Sequence, residues 1–247
     1  MSLNWEASAP GKVILFGEHA VVYGKKGIAS SIDLRTNAKL SSKLSDPSSQ
    51  NPNTFLIVRS APFETLEFPL SFLHSLSSIF TNASTTDYSA KLKEISTTIF
   101  LEENQKQFKE KIRDYVVQNN FKWENVENDS GCYSVLSLFS SLLSNNQQSW
   151  KLEINSEIPF GAGLGSSAAY HASVSGVFLK AYESLNNVQL DNWKFWTNEL
   201  AFSLEKIVHG PSASGIDNMI SVYGGMLSYQ NKIPNFYEKF FFPYLFS

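Results

Sequence analysis

Residues 159–169 read PFGAGLGSSAA, in which three glycines alternate with single residues and two serines follow directly. Upstream, apolar and polar residues alternate over 150–155, the period of a half-buried strand. Downstream, apolar residues recur at helical spacing over 170–181. The sequence therefore predicts a strand, a glycine-rich turn and a helix that begins near the two serines.

A glycine-rich turn at a helix N-terminus is a place where a protein can hold phosphate. Glycine lets the backbone approach a ligand closely, and the first N–H groups of a helix have no internal partner. The helix dipole adds a positive partial charge there. The segment lacks the lysine of a Walker A loop and the spacing of the dinucleotide fingerprint. A turn that merely packs a helix on a sheet is the alternative; we favour an anion site, with the anion unnamed.

Composition narrows the class of protein. With 247 residues and 43% hydrophobic content, the chain can bury one good core, and a single domain is the natural expectation for its first 230 residues. The net charge is −3 and the basic residues are scattered, which argues against a nucleic-acid partner. The single cysteine, Cys132, excludes an internal disulfide. Without a signal pattern or a long apolar run, we expect a cytoplasmic protein with no membrane partner.

The N-terminal segment 7–24 reads ASAPGKVILFGEHAVVYG. Proline and glycine at 10–11 predict a turn, and the apolar run 13–16 predicts a buried strand. Polar residues at the two ends of this strand are either ordinary surface groups or part of a pocket: Lys12, Glu18 and His19.

Further elements follow from periodicity. Strands are predicted at 28–44, 55–58 and 226–229, and helices from residue 89 (a long helix or a helix pair), at 134–143 and at 193–208. The segment 66–80 is apolar without a clear period. Glu205 lies in the last turn of the helix over 193–208, where the dipole disfavours an acid; it is either a surface residue or a functional one.

The segment 209–218 reads HGPSASGIDN, a small-residue loop with an acid at Asp217. An aspartate after glycine is most often a cap or a turn former. From residue 231 the pattern dissolves, and the aromatic-rich segment to 247 predicts neither helix nor strand.

Three segments in order resemble the GHMP small-molecule kinase family, and within it the branch that phosphorylates mevalonate: residues 9–24, 159–169 and 205–218. The resemblance spans about residues 7–229. It implies an α/β (α+β) fold, with a mixed sheet packed with helices and the phosphate loop at a helix N-terminus. On this basis residues 1–230 are the N-terminal, ATP-binding domain and 231–247 are a tail that ends before the family's C-terminal domain.

The resemblance also implies roles for particular residues. Asp217 would be the general base and Lys12 would stabilise charge; Glu18 would position Lys12, and His19 would contact the carboxylic substrate, mevalonate. Ser167 and Glu205 would hold Mg²⁺. The ATP phosphates would contact Lys12 and the following residues: Ser156, Gly161, Ala162, Gly163, Leu164, Gly165, Ser166 and Ser167.

Two departures from the family pattern and one favourable pairing of charges bear on those expectations. The loop before Asp217 is one residue longer than the family pattern, which bears on the placement of the acid. Lys12 beside Asp217 would keep that carboxyl ionised at neutral pH. Without a second domain, apolar cleft surface would be exposed, which predicts either poor solubility or a partner, with a homodimer as one candidate. The alternatives to an active mevalonate-phosphorylating enzyme are another small-molecule kinase of the family and a truncated, non-catalytic member.

Overall fold

The structure is a computed structural model that describes residues 2–44, 53–59, 65–80, 87–123, 129–146, 148–210, 213–230 and 233–237. The strands are β1 Ser2–Phe16, β2 Gly27–Leu44, β3 Thr54–Arg59, β4 Leu66–Pro69, β5 Gln148–Ser156, β6 Met226–Gln230 and β7 Ile233–Tyr237. The α-helices are α1 Leu70–Leu76, α2 Tyr88–Thr98, α3 Glu102–Gln118, α4 Ser130–Leu142, α5 Ser166–Asn186, α6 Trp193–His209 and α7 Ile216–Tyr223.

The strands form one seven-stranded sheet in the order β4-β3-β5-β2-β6-β7, with β1 paired to the other side of β2. The β3–β5 pair is parallel and the other pairs are antiparallel, so the predicted mixed sheet is confirmed. The long strand β2 pairs with β5 through its C-terminal half and with β6 through its N-terminal end. Strand β2 therefore holds three strands near the site described below: β1, which contains Lys12, β5, which precedes the glycine loop, and β6, which follows α7.

One face of the sheet packs against helices because its strands alternate. In β5, Trp150, Leu152 and Ile154 are buried, and the residues between them are not. Helix α5 lies on this face, and a Cβ at Gly176 would lie 3.3 Å from Cβ of Ala7. Small residues therefore let α5 lie close to β1, which fixes where the N-terminus of α5 falls relative to that strand.

A buried ion pair joins the sheet to helix α4. Arg59 on β3 donates to both carboxylate oxygens of Asp129, at 2.8 and 2.7 Å. Asp129 also caps α4 by accepting from the backbone N–H of Cys132, and it accepts from the indole of Trp123. Burial is the largest single influence and lowers the pKa of Arg59, but the hydrogen bonds to Asp129 together with the nearby Cys132, Tyr170 and Asp129 groups raise it overall. The two buried charges thus neutralise each other away from water.

The turn predicted at residues 10–11 is wrong. Strand β1 runs through both residues, and its register against β2 shifts between Pro10 and Lys12. A bulge bends a strand without ending it, and proline is tolerated where a strand lies at the edge of a sheet. The turn residues therefore mark an irregularity inside a long strand, and Lys12 lies within that strand and not at its start.

The prediction for the C-terminal segment is wrong in part. Ile233–Tyr237 forms β7 and pairs antiparallel with β6, so these residues belong to the sheet. The pairing places Gln230 opposite Ile233, and this close return of the chain was not signalled by a period in the sequence. Residues 238–247 lie outside the described residues.

Elsewhere the structure resolves what periodicity left open. The charged segment after residue 89 is a helix pair, α2 and α3, and the apolar segment 66–80 contains β4 and α1.

In the described part of the chain, no helix has both the length and the apolar character needed to cross a bilayer.

Candidate functional site

The glycine loop connects the end of β5 to the start of α5. Gly161, Gly163 and Gly165 all have positive φ, between +72° and +74°, the left-handed region that residues with a side chain rarely adopt. Gly165 is the N-cap of α5, and no side chain in the described ranges caps the helix there. By contrast, α2 and α4 are capped by aspartates. The first N–H groups of α5 are therefore left for an external acceptor.

Lys12 lies directly against this loop. Its backbone N–H donates to the carbonyl of Leu164 at 2.8 Å. A Cβ at Gly165 would lie 2.7 Å from Cγ of Lys12, and one at Gly11 would lie 2.7 Å from the Leu164 oxygen. Since a real Cβ essentially never comes that close, both positions require glycine. The loop and β1 are therefore packed together at the lysine.

Lys12 also reaches Asp217. Its Nζ lies 3.3 Å from Oδ2 of Asp217, in the first turn of α7, with the lysine buried and the aspartate half-buried. The loop ahead of α7 is held by Tyr229 of β6, whose hydroxyl donates to the carbonyl of Ser214 at 3.2 Å. The longer loop thus leaves Asp217 within ionic distance of the lysine. Residues 211–212 of that loop lie outside the described residues.

The electrostatics of Asp217 differ from the expectation. Burial raises the pKa of Asp217 above its ordinary value, and the nearby ammonium of Lys12 opposes that shift without cancelling it. Glu205 raises the same pKa further and His209 lowers it. The lysine by itself favours the ionised carboxyl, as predicted, but burial outweighs it. A carboxylate with a raised pKa is a stronger base than an exposed one.

A second polar cluster lies where α5 faces α6. Glu205 is buried, and its Oε1 accepts from Oγ of Ser167 at 2.8 Å. Nδ1 of His171 lies 2.8 Å from the same oxygen, and Nε2 of His209 lies 3.3 Å from Oε2. Burial alone raises the pKa of Glu205, but the interactions with His171, then Ser167 and His209, lower it overall. The family resemblance implies that Ser167 and Glu205 share a site, and the structure brings these two side chains together.

This cluster fits a hard cation. Magnesium prefers oxygen ligands, and proteins hold it through one or two carboxylates with phosphate and water completing the shell. The hydroxyl of Ser167 and the carboxylate of Glu205 are two such oxygen donors, and their hydrogen bond already holds them 2.8 Å apart. No group of three or more metal-binding side chains occurs in the described ranges. The donors present suit a cation that arrives with a phosphate ligand.

Three of the predicted site residues lie apart from these clusters. Glu18 and His19 are exposed in the turn after β1, and neither makes an ion pair or side-chain hydrogen bond with another described residue. The ionic partner of Lys12 is Asp217, so Glu18 does not hold the lysine here. Ser156, at the end of β5, lies 2.8 Å from the hydroxyl of Thr36, and its hydroxyl accepts from the N–H of Ile158 at 3.3 Å.

Two residues of the site were missed by the sequence analysis. His171 lies one helical turn after Ser167, and that spacing could have revealed it, since residues four apart share a helix face. Asn218 donates to the side chain of Asn198 at 2.8 Å in a buried contact that ties the start of α7 to α6. No sequence pattern connects those two asparagines, which lie on different helices.

A broad depression of about 1120 Å³ lies elsewhere on the molecule. Its described lining includes Glu6, Arg35, Lys39 and Glu153, and it contains no residue of the glycine loop, nor Lys12 or Asp217. Lys39 pairs with Glu6 there at 2.9 Å. The candidate site is therefore identified by its chemistry, and it does not coincide with this concavity.

Comparison with known proteins agrees with this geometry. Residues 132–225 match the family model described as the GHMP kinases N terminal domain. The chain is 34% identical over 234 residues to the mevalonate kinase of Arabidopsis thaliana, covering 91% of this chain and 56% of the relative. It is 33% identical over 236 residues to that of Bos taurus, covering 90% and 53%.

A solved structure shows the same fold. The mevalonate kinase of Methanococcus jannaschii superposes with a TM-score of 0.56 at 22% identity, covering 96% of this chain and 56% of that one. The chain thus spans about half the length of the relatives it matches. It belongs to the GHMP kinases, and its fold is that of the family's N-terminal domain.

Proposed function

We propose that the chain is the ATP-binding part of a kinase that transfers the γ-phosphoryl group of ATP to the hydroxyl of mevalonate. The observation that carries the proposal is the contact of Lys12 with both the glycine loop and Asp217. A cation between a phosphate-binding backbone and a carboxylate is what phosphoryl transfer needs, because catalysis there consists of positioning and charge stabilisation. The curated relatives bearing the name mevalonate kinase supply the choice of acceptor.

In this proposal the loop binds the nucleotide phosphates. The residues implied by the family resemblance, Gly161 to Ser167, present backbone N–H groups at an uncapped helix N-terminus. Lys12 adds a full positive charge beside them. Ser156 lies at the entry to the loop, where we expect it to contact the nucleotide.

Asp217 accepts the proton of the acceptor hydroxyl. A bond forms between that oxygen and the γ-phosphorus while the bond from phosphorus to the ADP oxygen breaks, and the proton ends on the Asp217 carboxylate. Lys12 stabilises the negative charge that spreads over the phosphoryl oxygens. The raised pKa of Asp217 supports the role of base.

Ser167 and Glu205 would hold the magnesium ion that accompanies ATP. When bound, the ion neutralises charge on the phosphate oxygens. The side chains of this chain provide one hydroxyl and one carboxylate for it, 2.8 Å apart.

Because the chain spans about half of its relatives, the activity and partners of a whole protein are part of the proposal. We propose residues 1–230 as the ATP-binding domain, with β7 added to its sheet. Glu18 and His19 remain proposed substrate-binding residues, with His19 as the contact of the substrate carboxylate, and their exposure leaves them accessible to a substrate. A cytoplasmic location and a homodimer stay predictions.

The proposal is tested with the purified 247-residue chain. Calorimetry measures binding of ATP with and without Mg²⁺, and a coupled assay measures ADP release with mevalonate, galactose, homoserine or phosphomevalonate as acceptor. We expect ADP release that requires mevalonate and disappears in Asp217→Asn. Release with another acceptor alone would assign another kinase of the family, and ATP binding without release would assign a non-catalytic member.

A further inference from the structure

His171 is buried and makes one hydrogen bond that matters for the site. Its side chain is 1% exposed, and its Nδ1 lies 2.8 Å from Oε1 of Glu205. It follows Ser167 by four residues on α5, so both side chains leave the same face of the helix. Two donors from one helix therefore converge on a single carboxylate oxygen of the neighbouring helix.

The contact fixes the tautomer of the imidazole. A carboxylate oxygen can only accept, so the proton lies on Nδ1 of His171. Nε2 is buried and has no hydrogen-bond partner in the described part of the chain. The ring packs edge-on against Tyr170, with 5.4 Å between ring centroids. The hydrogen bond and this packing hold the imidazole in one orientation.

The buried hydrogen bond from His171 restricts the orientation of the Glu205 carboxylate more than an exposed hydrogen bond would. Glu205 has three rotatable side-chain bonds, and a buried carboxylate without donors is costly. With Oε1 fixed by Ser167 and His171, Oε2 is the oxygen left toward the exposed side chain of His209. In known metal sites, residues that hydrogen-bond to the metal ligands hold those ligands in place. Removing such a residue lowers metal affinity by about 10–100-fold.

We propose that His171 is a positioning residue that holds the Glu205 carboxylate in place for the divalent cation of a bound nucleotide. The inference rests on the proposed function, because it concerns the cation that ATP brings. A role confined to tying α5 to α6 would affect stability alone and would leave metal-dependent binding unchanged.

The test compares two substitutions of similar size. His171→Asn keeps an N–H donor at the position of Nδ1, whereas His171→Leu removes it. The control is Ser175→Ala, a buried position one turn further along the same helix. Calorimetry gives the dissociation constant of ATP with Mg²⁺ and with EDTA. The constant with EDTA divided by the constant with Mg²⁺ measures how much the cation strengthens binding.

We expect His171→Leu to lower that ratio about tenfold, with the metal-free constant unchanged within about twofold. His171→Asn and Ser175→Ala should keep the ratio of the unmodified chain. A full ratio in a folded His171→Leu chain would overturn the positioning role and leave the proposed function standing. A ratio of one in the unmodified chain would overturn the proposed function, and the inference with it.

A measurement on the unmodified chain covers the case in which the leucine variant does not fold. The chain has four histidines, so ¹⁵N-histidine labelling gives a short spectrum in which His171→Asn assigns the His171 signals. At fixed pH, a non-hydrolysable ATP analogue with Mg²⁺ should shift the Nδ1 signal of His171, and the analogue with EDTA should not. An identical signal under the two conditions would overturn the proposal.

Discussion

The ammonium of Lys12 lies 3.3 Å from the Asp217 carboxylate, and the stem of the same side chain lies against Gly165. One residue thus contacts the segment proposed to hold phosphate and the group proposed to take the proton. Because Lys12 is buried in a bulge of β1, it has little room to adjust when either neighbour changes. Changes in the glycine loop should therefore be felt at Asp217.

Asp217→Asn removes the proposed base and keeps the size of the side chain. We expect turnover to fall by about 10²–10⁴-fold, the usual contribution of a positioned base, while the dissociation constant of ATP stays within about threefold. Steady-state kinetics and calorimetry measure the two quantities. Asp191→Asn, at an exposed position, is the control and should match the unmodified chain. Turnover within tenfold of normal in Asp217→Asn would rule out the assignment.

The pH at which the Asp217 carboxyl loses its proton depends on its environment in the fold. Burial raises the pKa of this carboxyl and Lys12 opposes the shift, so Lys12→Met should raise the pKa further. Carbon-13 NMR of the Asp217 carboxyl measures this directly, with Lys43→Met as an exposed control. A lower pKa in Lys12→Met would contradict the ion pair.

The same shift has a consequence for stability. A carboxyl whose folded-state pKa lies above its unfolded value favours the folded state at low pH, and that contribution is lost as the pH rises through the folded value. Asp217→Asn should therefore destabilise the chain less at neutral pH than at pH 3. Urea denaturation at the two pH values measures the difference.

Gly165→Ala and Gly163→Ala separate backbone strain from contact with the lysine. Both positions have positive φ, so each alanine should cost about 1–2 kcal/mol in the free energy of unfolding. A Cβ at Gly163 meets nothing within 4 Å, whereas one at Gly165 meets the Lys12 side chain at 2.7 Å. We therefore expect Gly165→Ala to lose ATP affinity and turnover well beyond Gly163→Ala. Equal losses in the two variants would show that the contact is unimportant.

Arg59→Met tests the buried pair between β3 and α4. It leaves the Asp129 carboxylate buried without its main cation, which should lower the free energy of unfolding by about 3–5 kcal/mol. Urea denaturation at neutral pH measures the loss. Lys39→Met, which breaks the exposed pair with Glu6, should cause no measurable change. Adding Asp129→Asn to Arg59→Met should restore part of the lost stability, since no unpaired charge then remains and the amide oxygen can still accept from the N–H of Cys132.

The elements whose structure depends on neighbouring residues could be predicted from the sequence. Alternation over 150–155 and the glycine run predicted β5, the loop and the start of α5, because strand period and glycine conformation are local properties. Contacts between residues far apart in the sequence could not be predicted in this way. The pairing of Lys12 with Asp217 depended on the family resemblance, and nothing in either segment states that β1 and α7 meet.

The failures have physical reasons too. Pro10 and Gly11 have turn chemistry, but tertiary packing uses Gly11 for a close approach to the Leu164 carbonyl inside a continuous strand. Strand β7 pairs only because β6 offers it an edge, and its own sequence has no clear period. His171 lies outside the three motifs used in the sequence analysis. Its partner, Glu205, is set by the way two helices pack, which a single sequence does not show.

The pairing of β2 has a consequence for synthesis on the ribosome. Strands β1 and β2 are neighbours in the chain and can pair as soon as both have emerged. The partner of Ser41 on the other side of β2, Lys151, lies 110 positions further along. At typical rates of translation that interval lasts on the order of ten seconds. During it, the central strand of the sheet has an open edge, so a nascent chain of this protein should engage chaperones before β5 arrives.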